Sequence, residues 1–512
     1  MRVALIGGGA AAVVLADLLV RRAEGSLTEI CIYEPSPEVG PGRAYRADLG
    51  TALVNLQSAG MSVDGDSSGD FLDWISKNRL SAADAPTTAH GFVPRWVYGR
   101  YLRHCYIRTQ HRAAQAGVVV RVVHQPVTSA HTTPDGVTLR TVGGQHFEHD
   151  RAALCLGTGK PANVYGLPAG QTYVEDPYPL KDLVAAVPSG APTLVLGTGL
   201  TAVDVALALL RRPRQAPITL ASRNGLLPGV RNPRVFTTPV RSTTQRFAEL
   251  AGSGRMQSLA DVWGFVAEEL RSRGLHGPHI AEEFSSAENA LDRMARHLRE
   301  VDAGYMWREV ASATLHPVIE KVWGEITNAE KDIFLRRYRS AYTAFMNPIP
   351  PETARKLLDA QEKGLIRVAS GVESVSLEAD GKYSMETPAG VTRFSAVVNS
   401  INASPHDFSD LASPLIDQLL NDGLVERHEF GGIRIERSSG RVFTDAAGSD
   451  PRLFALGQLT VGTHLVTNSV RAIHRQAEVV SAAILEPAHS TPPIPAAAMA
   501  RGPEAALSTH TR

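Results

Sequence analysis

The sequence predicts an α/β protein in which one βαβ domain is inserted into another, with a helical segment added to the inserted part. The strand–glycine turn–helix pattern of "VALIGGGAAAVVLADLLVRR" returns as "TLVLGTGLTAVDVALALLRR". The segments "VTSAHTTPDGVTLRTVGGQHFEHDRAALCLGTG" and "VESVSLEADGKYSMETPAGVTRFSAVVNSINA" share a layout of hairpin, second turn and apolar strand. Because these similar segments flank the second pattern, we expect the inserted domain to be entered and left through paired crossover strands.

The first half of the chain shows the expected elements in order. "VALIGGG" reads as a buried strand, Ala10–Arg22 as a helix and "EICIYEP" as a second strand. Helices are predicted after Asp70 and over "RWVYGRYLRHCYIRTQHRAAQAG". Alternating strands with turn signals at "PDG" and "GGQ" follow from Val119.

The second half begins with the repeated unit. It contains the strand "TLVLG", a helix over Thr201–Leu210 and the strand "ITLASR". Residues from about Arg241 to Tyr342 are rich in Glu, Arg, Ala and Leu at helical spacing, which predicts a block of helices. The predicted division is 1–185 and 393–486 for the first domain, 186–240 and 346–392 for the inserted domain, 241–345 for the helical insertion and 487–512 for a disordered Pro/Ala/Thr-rich tail.

The composition narrows the class of protein. In 512 residues, Lys+Arg and Asp+Glu both total 52, so the net charge gives no sign of a nucleic-acid-binding surface. The apolar stretch Val3–Val20 contains three glycines and an aspartate, so we expect folded protein there and no membrane segment. Three widely spaced cysteines without metal-ligand spacing predict a reduced, cytoplasmic protein with no metal site, and Cys31 and Cys155 read as buried small residues.

The first glycine motif is typical of dinucleotide binding in a Rossmann-like domain. Gly7 would allow a tight turn, Gly9 would let the backbone approach a pyrophosphate, and Ala12 supplies the small third residue. Glu34 ends the next strand, at the distance expected of an acid that binds ribose hydroxyls. The strand, helix and terminal acid together make the motif specific.

The second glycine motif differs at the end of its second strand. Gly197 and Gly199 repeat the pattern, but Ser222 and Arg223 stand where the first unit has its acid. A hydroxyl and a guanidinium would bind the 2′-phosphate of NADP, which a carboxylate would repel. Two alternatives remain open: a βαβ unit that binds no ligand, and an Arg223 that is only a solvated charge.

The two units together indicate a flavoprotein, with FAD in the first unit and NADPH in the second. Three further glycine-rich stretches fit a chain that runs close to a cofactor: "PEVGPGRAYR", "ALCLGTG" with Gly157 and Gly159, and "LFALGQLTVGTH" with Gly457. We also expect a helix beginning near Asn468 to direct its N-terminus towards the flavin.

These blocks resemble the FAD/NAD(P)-binding proteins related to the N-hydroxylating flavin monooxygenases, which act on the amines of amino acids. The resemblance extends from Met1 to about Leu485 and is specific for the fold with two dinucleotide sites. The matching stretches are "VALIGGGAAA", "YEPSPEVGPGRAYR", "LVNLQSAGMSVD", "FVPRWVYGRYL", "ALCLGTGKP", "LVLGTGLTAVDVAL", "ASRNGLLP", "SPLIDQLLNDGL" and "LFALGQLTVGTH".

The resemblance implies a reaction. NADPH would reduce FAD, and molecular oxygen would then form a flavin hydroperoxide that transfers one oxygen atom to a neutral amine. The substrate would be an amino acid or similar small amine, with aspartate as one option; a homo-oligomer is one option for the assembly. Two other readings stay open: a flavin reductase or oxidase without oxygen insertion, and a flavoprotein whose second site is inert.

The resemblance also implies roles for individual residues. Arg43, Tyr45, Asn55, Met61 and Arg95 would lie along the flavin, although Met61 could simply fill the core and Arg95 could form a structural ion pair. His464, Asn468 and Arg471 would act in catalysis, by recognising a carboxylate or positioning the peroxide. The alternative is that Thr467 or Asn468 caps a helix and Arg471 faces solvent.

Overall fold

A computed structural model describes residues 1–63, 69–78, 80, 91–170, 172–233, 249, 258–285, 287–444 and 448–487. Nearly all of the predicted tail at 487–512, and most of the first part of the predicted helical insertion at 241–257, lie outside the described residues. Within the described part of the chain, no helix has the length and apolar content needed to cross a bilayer.

The strands are short, and those of the two mainly parallel sheets are rich in β-branched and other apolar residues. They are β1 (Arg2–Ile6), β2 (Glu29–Tyr33), β3 (Val119–Val123), β4 (Val127–Thr133), β5 (Gly136–Thr141), β6 (His146–His149), β7 (Arg151–Leu154), β8 (Tyr173–Val174), β9 (Thr193–Leu196), β10 (Ile218–Ala221), β11 (Ile366–Ala369), β12 (Ser374–Leu377), β13 (Tyr383–Thr387), β14 (Gly390–Phe394), β15 (Ala396–Asn399), β16 (Arg441–Thr444) and β17 (Gly448–Ala455).

The helices follow the predicted order, and several begin at a side-chain cap. Ser258 with Asp261, and Thr327 with Glu330, form reciprocal capping boxes in the helical segment. The helices are α1 (Ala10–Arg22), α2 (Asp70–Lys77), α3 (Arg95–Gln115), α4 (Leu180–Ala186), α5 (Leu200–Leu209), α6 (Leu259–Ser272), α7 (Ile280–Glu283), α8 (Ala290–Asp302), α9 (Trp307–Glu325), α10 (Asn328–Ile333), α11 (Arg339–Met346), α12 (Pro351–Glu362), α13 (Ser413–Asn421) and α14 (Val470–Leu485).

The chain forms two compact units. Unit 1 comprises Met1–Arg43, Leu102–Gly159 and the chain from Pro405 onwards. Unit 2 comprises Ala44–Tyr101 and Lys160–Ser404. This division differs from the predicted domain bounds in three places, because residues 44–101 and 160–185 belong to unit 2 and unit 1 resumes at residue 405, after β15. The assignment of a cofactor to each predicted domain remains a prediction.

Unit 1 is built on a six-stranded sheet with the order β16-β17-β7-β1-β2-β3. All of its strands run parallel except β16. The register pairs Leu5 with Ile32 and with Ala153, and β1, β2 and β7 are buried apart from Arg2 and Glu29 at their starts. Helix α1 packs against α14, and β4, β5 and β6 form a separate antiparallel sheet.

Unit 2 repeats this plan. Its five-stranded sheet has the order β11-β10-β9-β15-β8 and is parallel throughout. Strands β12, β13 and β14 form its own antiparallel sheet. The described part of the predicted helical insertion is helical, from α6 to α11, and the observed α5 begins one residue before the predicted Thr201.

The two hairpin segments that share a layout belong to different units. The first copy gives β4–β7 and the second gives β12–β15. Strand β7 pairs with β1, whereas β15 pairs with β9, so each copy completes the parallel sheet of its own unit. The similarity therefore reflects two units built on one plan, and the expectation of paired crossover strands stays a prediction.

All three cysteines of the sequence lie in unit 1 and are buried as thiols. Cys31, Cys105 and Cys155 are 1%, 2% and 5% exposed, respectively. Burial raises the pKa of Cys31 and of Cys155, which keeps both in the uncharged form. The prediction that Cys31 and Cys155 are buried small residues is confirmed.

A buried histidine makes the stability of unit 1 depend on pH. The His149 Nε2 lies 2.8 Å from the Tyr33 hydroxyl, and burial lowers the pKa of His149 to about 4. The unfolded chain therefore binds this proton more readily than the folded one, so the contribution is complete above about pH 6.5 and is lost as the pH falls towards 4. The loss amounts to about 3 kcal/mol.

We expect His149→Gln to flatten the fall in the free energy of unfolding between pH 6.5 and 4, measured by urea denaturation. His146 lies on the same strand and is exposed, so His146→Gln is the matched control and should leave the slope unchanged. Equal slopes for the His149 variant and the wild type would contradict the assignment.

Candidate dinucleotide-binding sites

The carboxyl edge of the unit 1 sheet brings the glycine-rich stretches of that unit together. Neighbouring parallel strands β1, β7 and β17 end just before Gly7, Gly157 and Gly457, respectively. A Cβ atom on Gly457 would lie 3.8 Å from the Ala11 Cβ, so this glycine lies beside the first turn of α1. From β1 the sheet extends to β2 and β3 on one side and to β7 and β17 on the other, so β1 and β7 flank a topological switch point. Ligands of open α/β sheets bind at such a point.

Gly7 forms the tight turn that the motif predicts. Its φ is +104°, and an added Cβ would lie 2.6 Å from the Cys155 carbonyl oxygen. Its N–H donates to the Tyr33 carbonyl at 2.9 Å, which closes the turn against β2. A side chain is therefore excluded here by conformation and by space.

The Glu34 carboxylate is held by two backbone amides. Gly8 N–H donates to Oε2 at 2.9 Å, and Ser36 N–H donates to Oε1 at 2.8 Å. The imidazole of His124 donates from Nδ1 to the carbonyl oxygens of Glu34 and Ser36 at 3.1 and 2.9 Å. Because a carboxylate has about four acceptor positions, this oriented group retains lone pairs for hydroxyl donors.

Two glycines face each other in front of helix α1. The Gly40 N–H donates to the Gly8 carbonyl at 2.8 Å, which ties the segment 38–43 to the glycine turn. As a result, a Cβ on Gly42 would lie 3.4 Å from the Gly9 Cα, and a Cβ on Gly9 would lie 3.9 Å from the Gly42 Cα. Gly9 is the N-cap of α1 and offers no side-chain cap, so backbone N–H groups remain for an anion.

Arg43 and Gly159 are brought together as well. The Arg43 Nη1 donates to the Gly159 carbonyl at 2.6 Å, which joins the segment after Glu34 to the loop after β7. Ala12 is fully buried and allows α1 to pack closely on the sheet. A groove of about 260 Å³ lies beside the segment that follows Glu34, and it is lined in part by Pro37, Val39 and His124.

The second glycine turn copies the first in backbone geometry. Gly197 has a φ of +115°, and an added Cβ would lie 3.0 Å from the Ser400 carbonyl oxygen. Gly199 caps α5 with φ −82° and ψ −165°, close to the φ −78° and ψ −167° of Gly9. A Cβ on Gly199 would meet no atom within 4 Å, so the protein leaves space in front of this helix.

The end of β10 carries hydroxyl groups and a cation. The hydroxyls of Thr198 and Ser222 lie 3.0 Å apart, and Gly225 N–H donates to the Ser222 Oγ at 2.9 Å. Arg223 follows with an exposed side chain, and its carbonyl accepts from the Gly371 N–H at 2.9 Å. This end of the sheet thus presents neutral and positive groups where unit 1 presents Glu34.

The predicted flavin-side residues Tyr45, Asn55, Met61 and Arg95 all lie in unit 2. Tyr45 packs edge-on against Tyr98, and Met61 is 3% exposed. The Arg95 guanidinium forms an ion pair with Asp204, with 2.8 Å between Nη2 and Oδ2. The alternative of a structural ion pair thus has a partner, and the assignment of these residues to the flavin stays a prediction.

The predicted catalytic residues surround the start of α14. His464 is half-buried, and its backbone N–H donates to the Thr460 carbonyl at 2.9 Å. Asn468 and Arg471 are exposed. Helix α14 starts at Val470, near Asn468 as predicted, and the Ser469 hydroxyl accepts from Ala472 N–H and is the cap. The suggestion that Thr467 or Asn468 caps this helix is therefore wrong.

Sequence reasoning did not identify Gly8, Gly40, His124 or Thr198. Gly8 is visible as the middle glycine of "GGG", and Thr198 occupies the same place in "GTG". Their contacts depend on which residue ends the neighbouring strand, and only the register of the folded sheet shows this.

Comparison with known proteins gives the class of the first site. Residues 4–159 match the profile of the FAD-NAD(P)-binding family. This segment is an FAD/NAD(P)-binding domain. The match covers β1 to β7 and includes Gly7, Glu34 and Arg43, so the predicted class of cofactor is confirmed.

Other proteins resemble this chain over most of its length. It is 22% identical over 479 residues to the uncharacterized protein YdhS of Escherichia coli (strain K12), with 82% of this chain and 87% of YdhS covered. It also resembles the ornithine N-hydroxylase KtzI of Kutzneria sp. 744 in its FADred–NADP+–L-orn form, with a TM-score of 0.55, 13% identity and 94% and 98% coverage.

A second solved structure is similar to the same extent. The reduced form of the ornithine hydroxylase PvdA from Pseudomonas aeruginosa has a TM-score of 0.54 at 12% identity, with 94% of this chain and 98% of PvdA covered. At such low identity these likenesses show a shared fold. The predicted fold class, an α/β protein with two Rossmann-like units and a helical insertion, is confirmed.

Proposed function

We propose that this protein is an FAD- and NADPH-dependent monooxygenase that oxygenates the amine nitrogen of an amino acid or a similar small molecule. The observation that carries the proposal is the contrast between its two glycine turns. The two turns share one backbone geometry, but the residues after the next strand differ. Unit 1 has the Glu34 carboxylate there, whereas unit 2 has Ser222 and Arg223. The shared fold with ornithine hydroxylases supports the oxygenation of an amine.

The residues of unit 1 fit FAD. The facing Cα atoms of Gly9 and Gly42 leave room for the backbone to approach a pyrophosphate, which the uncapped start of α1 stabilises. Glu34, oriented by its two amide donors, accepts the ribose hydroxyl protons. FAD held by these residues would supply the chemistry by which one atom of dioxygen is transferred to a nucleophilic amine and the other leaves as water.

The residues of unit 2 fit NADPH. The space in front of Gly199 admits a pyrophosphate, and α5 begins there with free N–H groups. Ser222 and Arg223 recognise the 2′-phosphate, because a hydroxyl donates to phosphate and a guanidinium neutralises its charge. A dinucleotide held here supplies the reducing equivalents.

The groups around the start of α14 fit recognition of an amino acid. Arg471 and Asn468 are exposed, and half-buried His464 precedes them. We assign the substrate carboxylate to Arg471 and Asn468, since guanidinium and amide groups bind carboxylates well. His464 would hold a hydrogen bond at the substrate amine. An acidic substrate such as aspartate stays a prediction, because it depends only on the several arginines in the stretches predicted to lie beside the flavin.

Two glycine variants separate the proposed sites. Gly9→Ala and Gly199→Ala each add one methyl group at an N-cap with space around it, so each should cost the fold only about 1 kcal/mol. We expect Gly9→Ala to be purified folded with less than about a tenth of the wild-type flavin, because the methyl group blocks the pyrophosphate. Gly199→Ala should keep its flavin but lose bleaching of the flavin absorbance by NADPH under anaerobic conditions.

Each variant is the control for the other, since the two positions have nearly the same backbone angles. Circular dichroism should show both proteins to be folded. If Gly199→Ala is bleached by NADPH as readily as the wild type, the assignment of unit 2 to the reductant fails.

The reaction itself is tested by oxygen uptake with NADPH against a panel of amino acids, including ornithine, lysine and aspartate, and simple amines. We expect at least one amine to raise the rate of oxygen uptake and to yield a hydroxylated product that carries labelled oxygen from ¹⁸O₂. Bleaching of the flavin without any amine-dependent product would favour a reductase or oxidase. No bleaching at all would favour a flavoprotein with an inert second site.

A further inference from the structure

The two glycine turns differ at one corner, which we call the 8/34 corner in unit 1 and the 198/222 corner in unit 2. The positions are equivalent, because Gly7 N–H donates to the Tyr33 carbonyl just before Glu34, and Gly197 N–H donates to the Ala221 carbonyl just before Ser222. Each corner joins the middle residue of the glycine turn to the first residue after the next strand. Unit 1 has glycine and glutamate there, whereas unit 2 has threonine and serine.

In unit 1 the acid depends on the glycine. A Cβ added to Gly8 would lie 2.6 Å from the Glu34 Cβ and 2.8 Å from its Cγ, far inside contact distance. The same closeness lets the Gly8 N–H donate to the Glu34 carboxylate at 2.9 Å. A side chain at position 8 would therefore displace the acid and remove one of its two amide donors.

In unit 2 the corner is occupied by hydroxyl groups. Thr198 is 6% exposed, and its Oγ1 lies 3.0 Å from the Ser222 Oγ. The Ser222 Oγ also accepts from Gly225 N–H. A glutamate at 222 in the same rotamer would place its Cγ where this Oγ lies, 3.0 Å from the Thr198 hydroxyl, and would lose the Gly225 bond.

We propose that Thr198 determines the dinucleotide specificity of the second site, by filling the space that a ribose-binding acid needs and by holding the Ser222 hydroxyl in place for a 2′-phosphate. Thr198 is thus a positioning residue, and the pair 198/222 acts as one element. The inference rests on the proposed binding of a nicotinamide dinucleotide by unit 2, but not on oxygen transfer.

We expect substitutions at positions 198 and 222 to have non-additive effects on the binding of NADPH and NADH. Ser222→Glu alone should weaken NADPH binding by about tenfold or more, because the new charge repels the phosphate. It should not improve NADH binding, since Thr198 prevents the acid from reaching the position that Glu34 has in unit 1. The double variant T198G/S222E rebuilds the 8/34 corner and should bind NADH at least about tenfold more tightly than S222E does.

Three further variants separate the roles of Thr198. Thr198→Val keeps the bulk and removes the hydroxyl, so T198V/S222E should bind NADH as poorly as S222E. Thr198→Val alone should weaken NADPH binding by roughly threefold to tenfold, the size expected for one lost hydrogen bond. Thr198→Ser should retain the preference for NADPH, because it keeps the hydroxyl.

The measurement is the dissociation constant of NADPH and of NADH for the flavin-loaded protein, by isothermal titration calorimetry under anaerobic conditions. Flavin content and the thermal midpoint show that each variant is folded, and the shorter Ser222→Asp, alone and with T198G, replaces the glutamate pair if that pair does not fold. A merely structural Thr198 would change both constants by the same factor.

The inference is overturned if S222E binds NADH as tightly as T198G/S222E, or if the double variant gains nothing. If wild-type protein binds neither NADPH nor NADH, the proposed function fails together with the inference. If it binds NADPH and shows the non-additive shift but oxygenates no amine, the inference stands and only the proposed oxygenation fails.

Discussion

Replacing Arg95 by methionine should lower the free energy of unfolding by about 3–5 kcal/mol. The Asp204 side chain is 7% exposed, and its Oδ2 lies 2.8 Å from the Arg95 Nη2. The Tyr178 hydroxyl donates to the same oxygen at 2.7 Å and accepts from the Arg95 Nη1 at 3.1 Å. Burial raises the pKa of Asp204, and the guanidinium opposes that rise. Without Arg95, a buried carboxylate remains with no cation.

Urea denaturation of the purified protein measures this loss, and its pH dependence identifies the cause. Removal of Arg95 raises the pKa of Asp204 further, so the deficit of the variant should shrink as the pH is lowered and Asp204 becomes protonated. R95M/D204L should recover most of the lost stability, because a buried ion pair can often be replaced by apolar groups at little cost.

A matched ion pair in unit 1 provides the control. Arg103 and Glu38 lie 3.0 Å apart with side chains 57% and 48% exposed, and Arg103→Met should cost less than about 1 kcal/mol. If Arg95→Met is no more destabilising than Arg103→Met, the Arg95–Asp204 pair does not contribute to the free energy of unfolding as predicted.

Replacing Gly7 by alanine should abolish stable folding of unit 1. At a φ of +104°, a non-glycine residue pays backbone strain of about 1–3 kcal/mol. In addition, the new Cβ would lie 2.6 Å from the Cys155 carbonyl oxygen, which belongs to the backbone and cannot rotate away. Purified variant should show a lowered thermal midpoint, or no cooperative transition, and no bound flavin.

The other glycines of the two motifs make a graded series. Gly197→Ala should be less damaging, because its φ of +115° is similar but its nearest contact is 3.0 Å. Gly9→Ala and Gly199→Ala should be the mildest, with contacts of 3.9 Å and none within 4 Å. A thermal midpoint for Gly7→Ala equal to that of Gly9→Ala would show that the turn relaxes and that the contact has no energetic weight.

Local patterns predicted most elements because their causes are local. The period of apolar residues and the glycine turn are sufficient for β1 and α1, and α1 spans Ala10–Arg22 as expected. The start of α14 depends on which of several neighbouring polar residues turns to accept the N–H of Ala472, and the choice of Ser469 is not visible in composition.

Long-range pairings could not be predicted from periodicity. Arg95 and Asp204 meet because the start of α3 comes beside α5 within unit 2, and nothing near either residue indicates the other. The same holds for Gly8 and Glu34, whose contact depends on the register of β1 and β2. The similarity of the two hairpin segments is visible in the sequence, but only strand pairing shows that β15 lies between β9 and β8 in the sheet of unit 2.

Because all three cysteines lie in unit 1, the reactivity of their thiols reports the local opening of that unit. A thiol reagent can modify Cys31, Cys105 or Cys155 only when unit 1 exposes them, since each is at most 5% accessible in the folded protein. Pulse labelling followed by mass spectrometry would time the opening of that half of the molecule alone, because residues 44–101 and 160–404 contain no cysteine. The mass shift would count the thiols that have become reachable, and no label would have to be engineered.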